Sequence, residues 1–131
     1  MTTYKITIPL EPRTKKNGAR IYGRRLLPSK AFEQYELECM QYLKPCPVKK
    51  PIDYPVNIKA LYYVPLFKNG NKKRIDKTNL ESALMDILVE YNILADDDST
   101  IVVTTDGSRV IHIKGQGKTE ITITELSEKE E

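Results

Sequence analysis

Apolar and polar residues alternate from Thr3 to Ile8 (Thr-Tyr-Lys-Ile-Thr-Ile), a period of two that predicts a half-buried strand. Pro9 and Pro12 end it, because proline has no N–H for a sheet ladder. Arg13 to Pro28 keeps no period, is basic and holds Gly18 and Gly23; it predicts a long loop with room for a short hairpin. Helical spacing follows. Ser29 is a good N-cap, and Phe32, Tyr35, Cys39 and Leu43 fall on one face of a first helix over about 30–43. Pro45, Pro47 and Pro51 forbid its continuation. Val56 to Val64 (VNIKALYYV) is rich in β-branched and aromatic residues and reads as a strand closed by Pro65. Lys68 to Arg74 is a polar, basic, glycine-containing loop.

The clearest periodicity comes next. Leu80, Ala83, Leu84, Ile87, Leu88 and Tyr91 make one apolar face, which predicts a second helix from about Thr78 to Tyr91, with Asn92 at its end. Ile101-Val102-Val103 reads as a strand, and Val110 to Ile113 either continues it or pairs with it. Gly115 and Gly117 mark a turn before a last alternating strand, Glu120 to Leu126. There is no internal repeat and no linker. The expected fold is α+β: one domain over 1–131 with a mixed sheet, two main helices packed on it, and a frayed end at 127–131.

Composition narrows the class. With 40% hydrophobic and 30% charged residues over 131 positions, the chain is an ordinary globular domain with enough length for its own core. No apolar run reaches membrane-spanning length, and the start lacks a signal-peptide layout, so a cytoplasmic protein is expected. Cys39 and Cys46 with the lone His112 fall short of the about four ligands that zinc takes, and the cysteines read as free thiols. His112 lies in an alternating strand with nothing to complete a catalytic pair, and reads as structural.

The net charge of +3 says less than its placement. Lys15, Lys16, Arg20, Arg24 and Arg25 crowd one stretch; Lys72, Lys73 and Arg74 crowd another, with Lys77 just beyond. These are the candidate DNA contacts, since phosphates are held by flexible cations. Tyr22, between Arg20 and Arg24, could stack on an unpaired base or pack on its own loop. Tyr62 and Tyr63 read as core or dimer surface.

Acids are concentrated elsewhere. Asp76 opens the second helix, Asn79 and Asp86 lie two turns apart on one side of it, and Asp96-Asp97-Asp98 follow its end. Hard oxygen donors of this kind suit Mg²⁺ or Mn²⁺. Each also has a plain structural reading: a cap, a solvated surface residue, a loop.

The block Arg74-Ile75-Asp76-Lys77-Thr78-Asn79-Leu80, then Asp86-Ile87-Leu88, then Asp97-Asp98-Ser99-Thr100-Ile101 resembles the signature of the RusA family of Holliday junction resolvases. That signature has a basic residue before D-x-D-N-L, a D-A-L further along the helix, and D-D-x-Q-hydrophobic after it. Tyr4 to Pro9 with Pro12, and Ile121 to Glu125, are similar to the family's first and last strands. The resemblance implies a homodimer that nicks branched DNA symmetrically with Mg²⁺ and needs no organic cofactor or membrane. It implies Asp76 and Asp98 as catalytic and metal-holding, with Asp97 in place of Asp98 if the match slides by one residue, and Asn79 and Asp86 beside them. Two departures stand out: Thr78 replaces the second aspartate of D-x-D, and Ser82 replaces a lysine. Glu81, Asp86 or Asp97 could supply the missing carboxylate and Lys77 the cation. The alternative expectation is a catalytically weakened module that binds branched DNA on the same fold, and a third is a protein-interaction domain with no nucleic-acid role.

Overall fold

The computed structural model describes residues 2–15, 20–22, 25–27, 30–46 and 48–126, the stretches 20–22 and 25–27 as backbone only. Strand β4 (Val56–Pro65) organises the rest. Its alternation is complete: Val56, Ile58, Ala60, Tyr62 and Val64 are buried, and the residues between them are not. Antiparallel to it runs β7 (Lys118–Glu125), with Ile58 opposite Ile123 and Ala60 opposite Ile121. On the far side of β7 lies β1 (Thr3–Ile8), again antiparallel, with Ile6 opposite Ile121.

The other edge of β4 is shared. Strand β5 (Val102–Thr104) pairs with its start and β6 (Arg109–Ile113) with its second half, both parallel. Between them, where no ladder partner remains, Ser108 substitutes. Its hydroxyl accepts from the Ala60 N–H at 2.9 Å and donates to the Ile58 carbonyl at 3.2 Å. Gly107 makes the reversal possible with φ +87°, a conformation that a side chain would strain. The sheet is therefore mixed and five-stranded.

Helices α1 (Lys30–Leu43) and α2 (Lys77–Glu90) take the bounds that periodicity predicts to within a residue. Phe32, Tyr35, Cys39 and Leu43 of α1 and Leu80, Ala83, Leu84, Ile87 and Leu88 of α2 share one core with the inward residues of β1, β4 and β7. Fully burying each large side chain of this set stabilises the fold by about 1.5–3 kcal/mol. The sequence-based loop after β1 contains a small hairpin, β2 (Arg20–Tyr22) with β3 (Arg25–Leu27), Ile21 opposite Leu26. Ser29, Lys16 and Arg24 lie outside the described residues, as do the side chains of Arg20, Tyr22 and Arg25.

Cys39 and Cys46 are free; burial pushes the Cys39 thiol up to about 12, so it serves as an inert apolar group. Tyr62 is core, 1% exposed, while Tyr63 on the opposite face is half-buried. His112 has the structural role expected of it: its Nε2 lies 3.0 Å from the Lys73 carbonyl oxygen and ties β6 to the basic loop. No helix among the described residues is long and apolar enough to cross a membrane.

Candidate functional site

Asp76 precedes α2 with extended backbone (φ −83°, ψ 119°), and its Oδ1 accepts from the Thr78 N–H at 2.8 Å. This is N-capping, and the negative charge sits at the positive end of the helix dipole. Thr78, where the family pattern has a second carboxylate, thus contributes its backbone N–H to fixing the first. Asn79 is half-buried on the next turn.

Asp86 lies ten residues after Asp76, about 15 Å along the axis at the helical rise. It forms an ion pair with Lys15 from the segment after β1. Both side chains are more than 40% exposed, so the pair stabilises the fold by less than about 1 kcal/mol. Lys77, the other candidate cation near this helix, is paired with Glu81 at 3.0 Å.

The chain then reverses. Asn92 takes φ 63°, and the N–H groups of Ile93 and Leu94 both reach the Leu88 carbonyl, at 2.9 and 3.2 Å. Ala95 N–H bonds the Ile52 carbonyl, which anchors the segment to the core side of the fold. Asp96, Asp97 and Asp98 follow, all exposed. Asp98 builds a turn: its Oδ1 accepts from the Thr100 N–H at 2.8 Å and from the Thr100 hydroxyl, while its carbonyl accepts from the Ile101 and Val102 N–H groups. The Thr100 hydroxyl and N–H hold the Asp98 carboxyl below its ordinary range.

Asp97 is shifted the other way. Partial burial, a hydrogen bond with the Asp96 side chain and the negative charge of Asp86 hold its carboxyl above the usual range. Glu36 of α1 is raised as well, first by burial and then by Glu90, with Asp86 adding to it and Lys15 opposing. The C-terminal half of α2 therefore places Asp86 within electrostatic range of Asp97 and Glu36, with Glu90 near Glu36 and Lys15 paired to Asp86. Glu36 and Glu90 carried no sequence signal, since their nearness depends on how α1 meets α2.

The two shifts predict opposite effects of substitution. Asp97, with its raised value, contributes stability below the ordinary carboxyl pKa and loses it as pH rises through the raised value. Asp98, with its lowered value, contributes stability above the ordinary pKa and loses it as pH falls through the lowered value. Hence at pH 7 in EDTA, Asp97→Asn should raise the urea midpoint and Asp98→Ala should lower it. Shifts of the same sign would mean that the two carboxylates do not differ in this way.

The structure brings Asp86 into the electrostatic range of Asp97 and keeps Asp76 at the far end of α2. Among the described residues, no three His, Cys, Asp or Glu side chains are placed together to hold a metal ion. The donors that are near one another are carboxylate oxygens, the chemistry that hard divalent cations take.

The basic loop is ordered. Phe67 N–H bonds the Asn71 carbonyl and Gly70 N–H bonds the Phe67 carbonyl, both at 2.9 Å, with Gly70 at φ +84°. Lys73 is held: its Nζ lies 3.3 Å from Glu11 Oε2 and 5.6 Å from the Phe67 ring centroid. Lys72 and Arg74 are exposed.

Residues 9–124 match the family described as endodeoxyribonuclease RusA. No curated protein matches the chain.

Proposed function

The chain belongs to the RusA endodeoxyribonuclease family, and on that premise we propose that it resolves four-way DNA junctions by paired nicks, as a homodimer using Mg²⁺ or Mn²⁺. The observation that carries this reading is the extent of the match. It spans Asp76, Asn79, Asp86 and the Asp97-Asp98 turn, which lie at the N-cap of α2, on the helix, or in the reversal after it.

Magnesium is usually held by one or two carboxylates together with water and substrate phosphate, not by an all-protein cage. A two-carboxylate share fits the donors described above. We assign Asp97 and Asp98 as metal-holding residues, with Asp76 as the third and Asp86 as their support. The chemistry such a cation supplies when bound is neutralisation of charge on the phosphate and activation of a water. Asn79, one turn into α2, orients a ligand or a water. A dimer supplies two sites, one for each of two opposed strands, which makes paired nicks possible.

The cations divide between holding DNA and balancing acids. Arg74, Lys72, Arg20, Arg24, Arg25 and Lys16 are assigned to phosphates, with Lys73 and Lys77 beside them. Lys15 is a better substitute than Lys77 for the family lysine missing at Ser82. Its ammonium already sits on Asp86, one turn after Ser82, whereas that of Lys77 is engaged by Glu81.

A second reading, a module that binds junctions and cuts them poorly, is favoured by Thr78 and by the lack of three converging ligands among the described residues. Incubation with a synthetic four-way junction and a matched linear duplex, in Mg²⁺ or in EDTA, separates the two. Paired nicks on the junction alone, absent in EDTA, are expected. Tight binding with no cutting in either Mg²⁺ or Mn²⁺ would give the second reading.

A further inference from the structure

A cavity of about 230 Å³ opens where the chain leaves β1, beside the first turn of α1 and against the basic loop. Its wall is mixed. Val64 and Phe67 are among its apolar members, and Glu11, Lys73 and Arg74 among its polar ones. Thr14 also lines it, only 4% exposed, and its hydroxyl finds no hydrogen-bond partner among the described residues. A buried hydroxyl without a partner is costly, and a ligand that satisfied it would remove that cost. Phe67 is 52% exposed and directly precedes the polar run Lys68 to Arg74. An aromatic ring on a DNA-binding surface has a use beyond packing.

We propose that this cavity receives one unpaired nucleobase from the branch point of the DNA. The inference rests on the junction-directed reading above and names the part of the junction that this second site takes. A phosphate alone would find cations in Lys73 and Arg74 but would leave the apolar wall of Val64 and Phe67 unused. A base has an apolar face for Phe67 and a polar edge, where Glu11 accepts from an exocyclic amino group and the Thr14 hydroxyl donates or accepts. Pockets for drug-sized ligands start at about 300 Å³, so this one has the scale of a single base.

Position adds to the case. Arg74 lines the cavity and lies two residues before Asp76. A nucleotide seated here would hand its phosphate to Arg74 on the way to the proposed nuclease residues. Gly117 sets the position of the wall: a Cβ there would come within 2.8 Å of the Tyr63 carbonyl and 3.0 Å of the Glu11 Cα, so only glycine lets the Glu11 segment lie this close to the sheet. A branch point surrenders a base at little cost, because its stacking is already broken, whereas a continuous duplex must unpair one. The cavity thus distinguishes branched from linear DNA.

The test is equilibrium binding in EDTA to four-way junctions, intact or carrying an abasic site at each branch-point nucleotide in turn. Wild type, Phe67→Ala and Thr14→Val are compared, with a matched duplex as control. One abasic position should weaken wild-type binding on the order of tenfold. Phe67→Ala should show a similar loss on the intact junction and no further loss on that abasic junction. Thr14→Val, which keeps the shape and removes the hydroxyl, should lose a smaller factor with the same dependence on the base. Equal losses by Phe67→Ala on intact and abasic junctions, or no loss at all, would overturn the base pocket while junction binding and nicking stood. A wild type that binds junction and duplex alike and nicks neither in Mg²⁺ would overturn the functional reading together with it.

Discussion

Asp76→Asn should reduce junction nicking by about a hundred- to a thousandfold and lower the thermal midpoint only slightly. The loss follows from charge. A carboxylate that shares a divalent cation with a phosphate provides several kcal/mol of electrostatic stabilisation in the transition state, and each 1.36 kcal/mol is tenfold in rate. The small change follows from capping, since only the interaction of the charge with the helix dipole is lost. The Asp76 Oδ1 accepts from the Thr78 N–H, and asparagine caps a helix as well as aspartate does. Asp76→Ala separates the two roles, because it should lose about 1 kcal/mol of stability in addition to the activity. Nicking rates on a labelled junction, read beside thermal denaturation of both variants, decide the matter. Full activity in Asp76→Asn would reduce Asp76 to a helix cap.

Leu88→Ala should cost about 2–5 kcal/mol of folding stability, read as a lower urea midpoint. Leu88 is fully buried, and its carbonyl receives both N–H groups of the reversal after α2. Truncating the side chain leaves a void in the core and loosens the anchor from which the Asp96–Asp98 segment departs. Against a total stability of about 5–15 kcal/mol for a domain, the loss is a large share. A cost below about 1 kcal/mol would mean that the core closes around the void.

Much of this architecture is legible in the chain. The periods of α1, α2, β1, β4 and β7 predict their bounds closely, because one face of each is buried and polarity follows burial. Arg13 to Pro28 has too short a strand pair for periodicity to reveal, and only its glycines hinted at the hairpin. The parallel pairing of both β5 and β6 with β4 was not legible. It depends on Ser108 and on the turn at Gly107, two small residues that carry no period. The candidate site divides in the same way. Motif spacing singles out Asp76, Asp86 and Asp97-Asp98, but adjacency in a motif is not adjacency in space. The rise of α2 separates the first from the others, and the reversal at Asn92 brings Asp97 within reach of Asp86. Lys15 as partner of Asp86 comes from a loop seventy-one positions earlier, a pairing that no local pattern encodes.

Strand β7 joins β1 to β4, yet it is synthesised last among the three, with Thr3 paired to Thr124. At roughly 5–20 residues per second, the span from the end of β4 to the start of β7 takes about 3–10 s to translate. During that interval Ile6, Ile8, Val56 and Ile58 belong to strands with no shared neighbour, and their open edges can pair with other chains. The central position of the sheet is therefore filled only once β7 has been made.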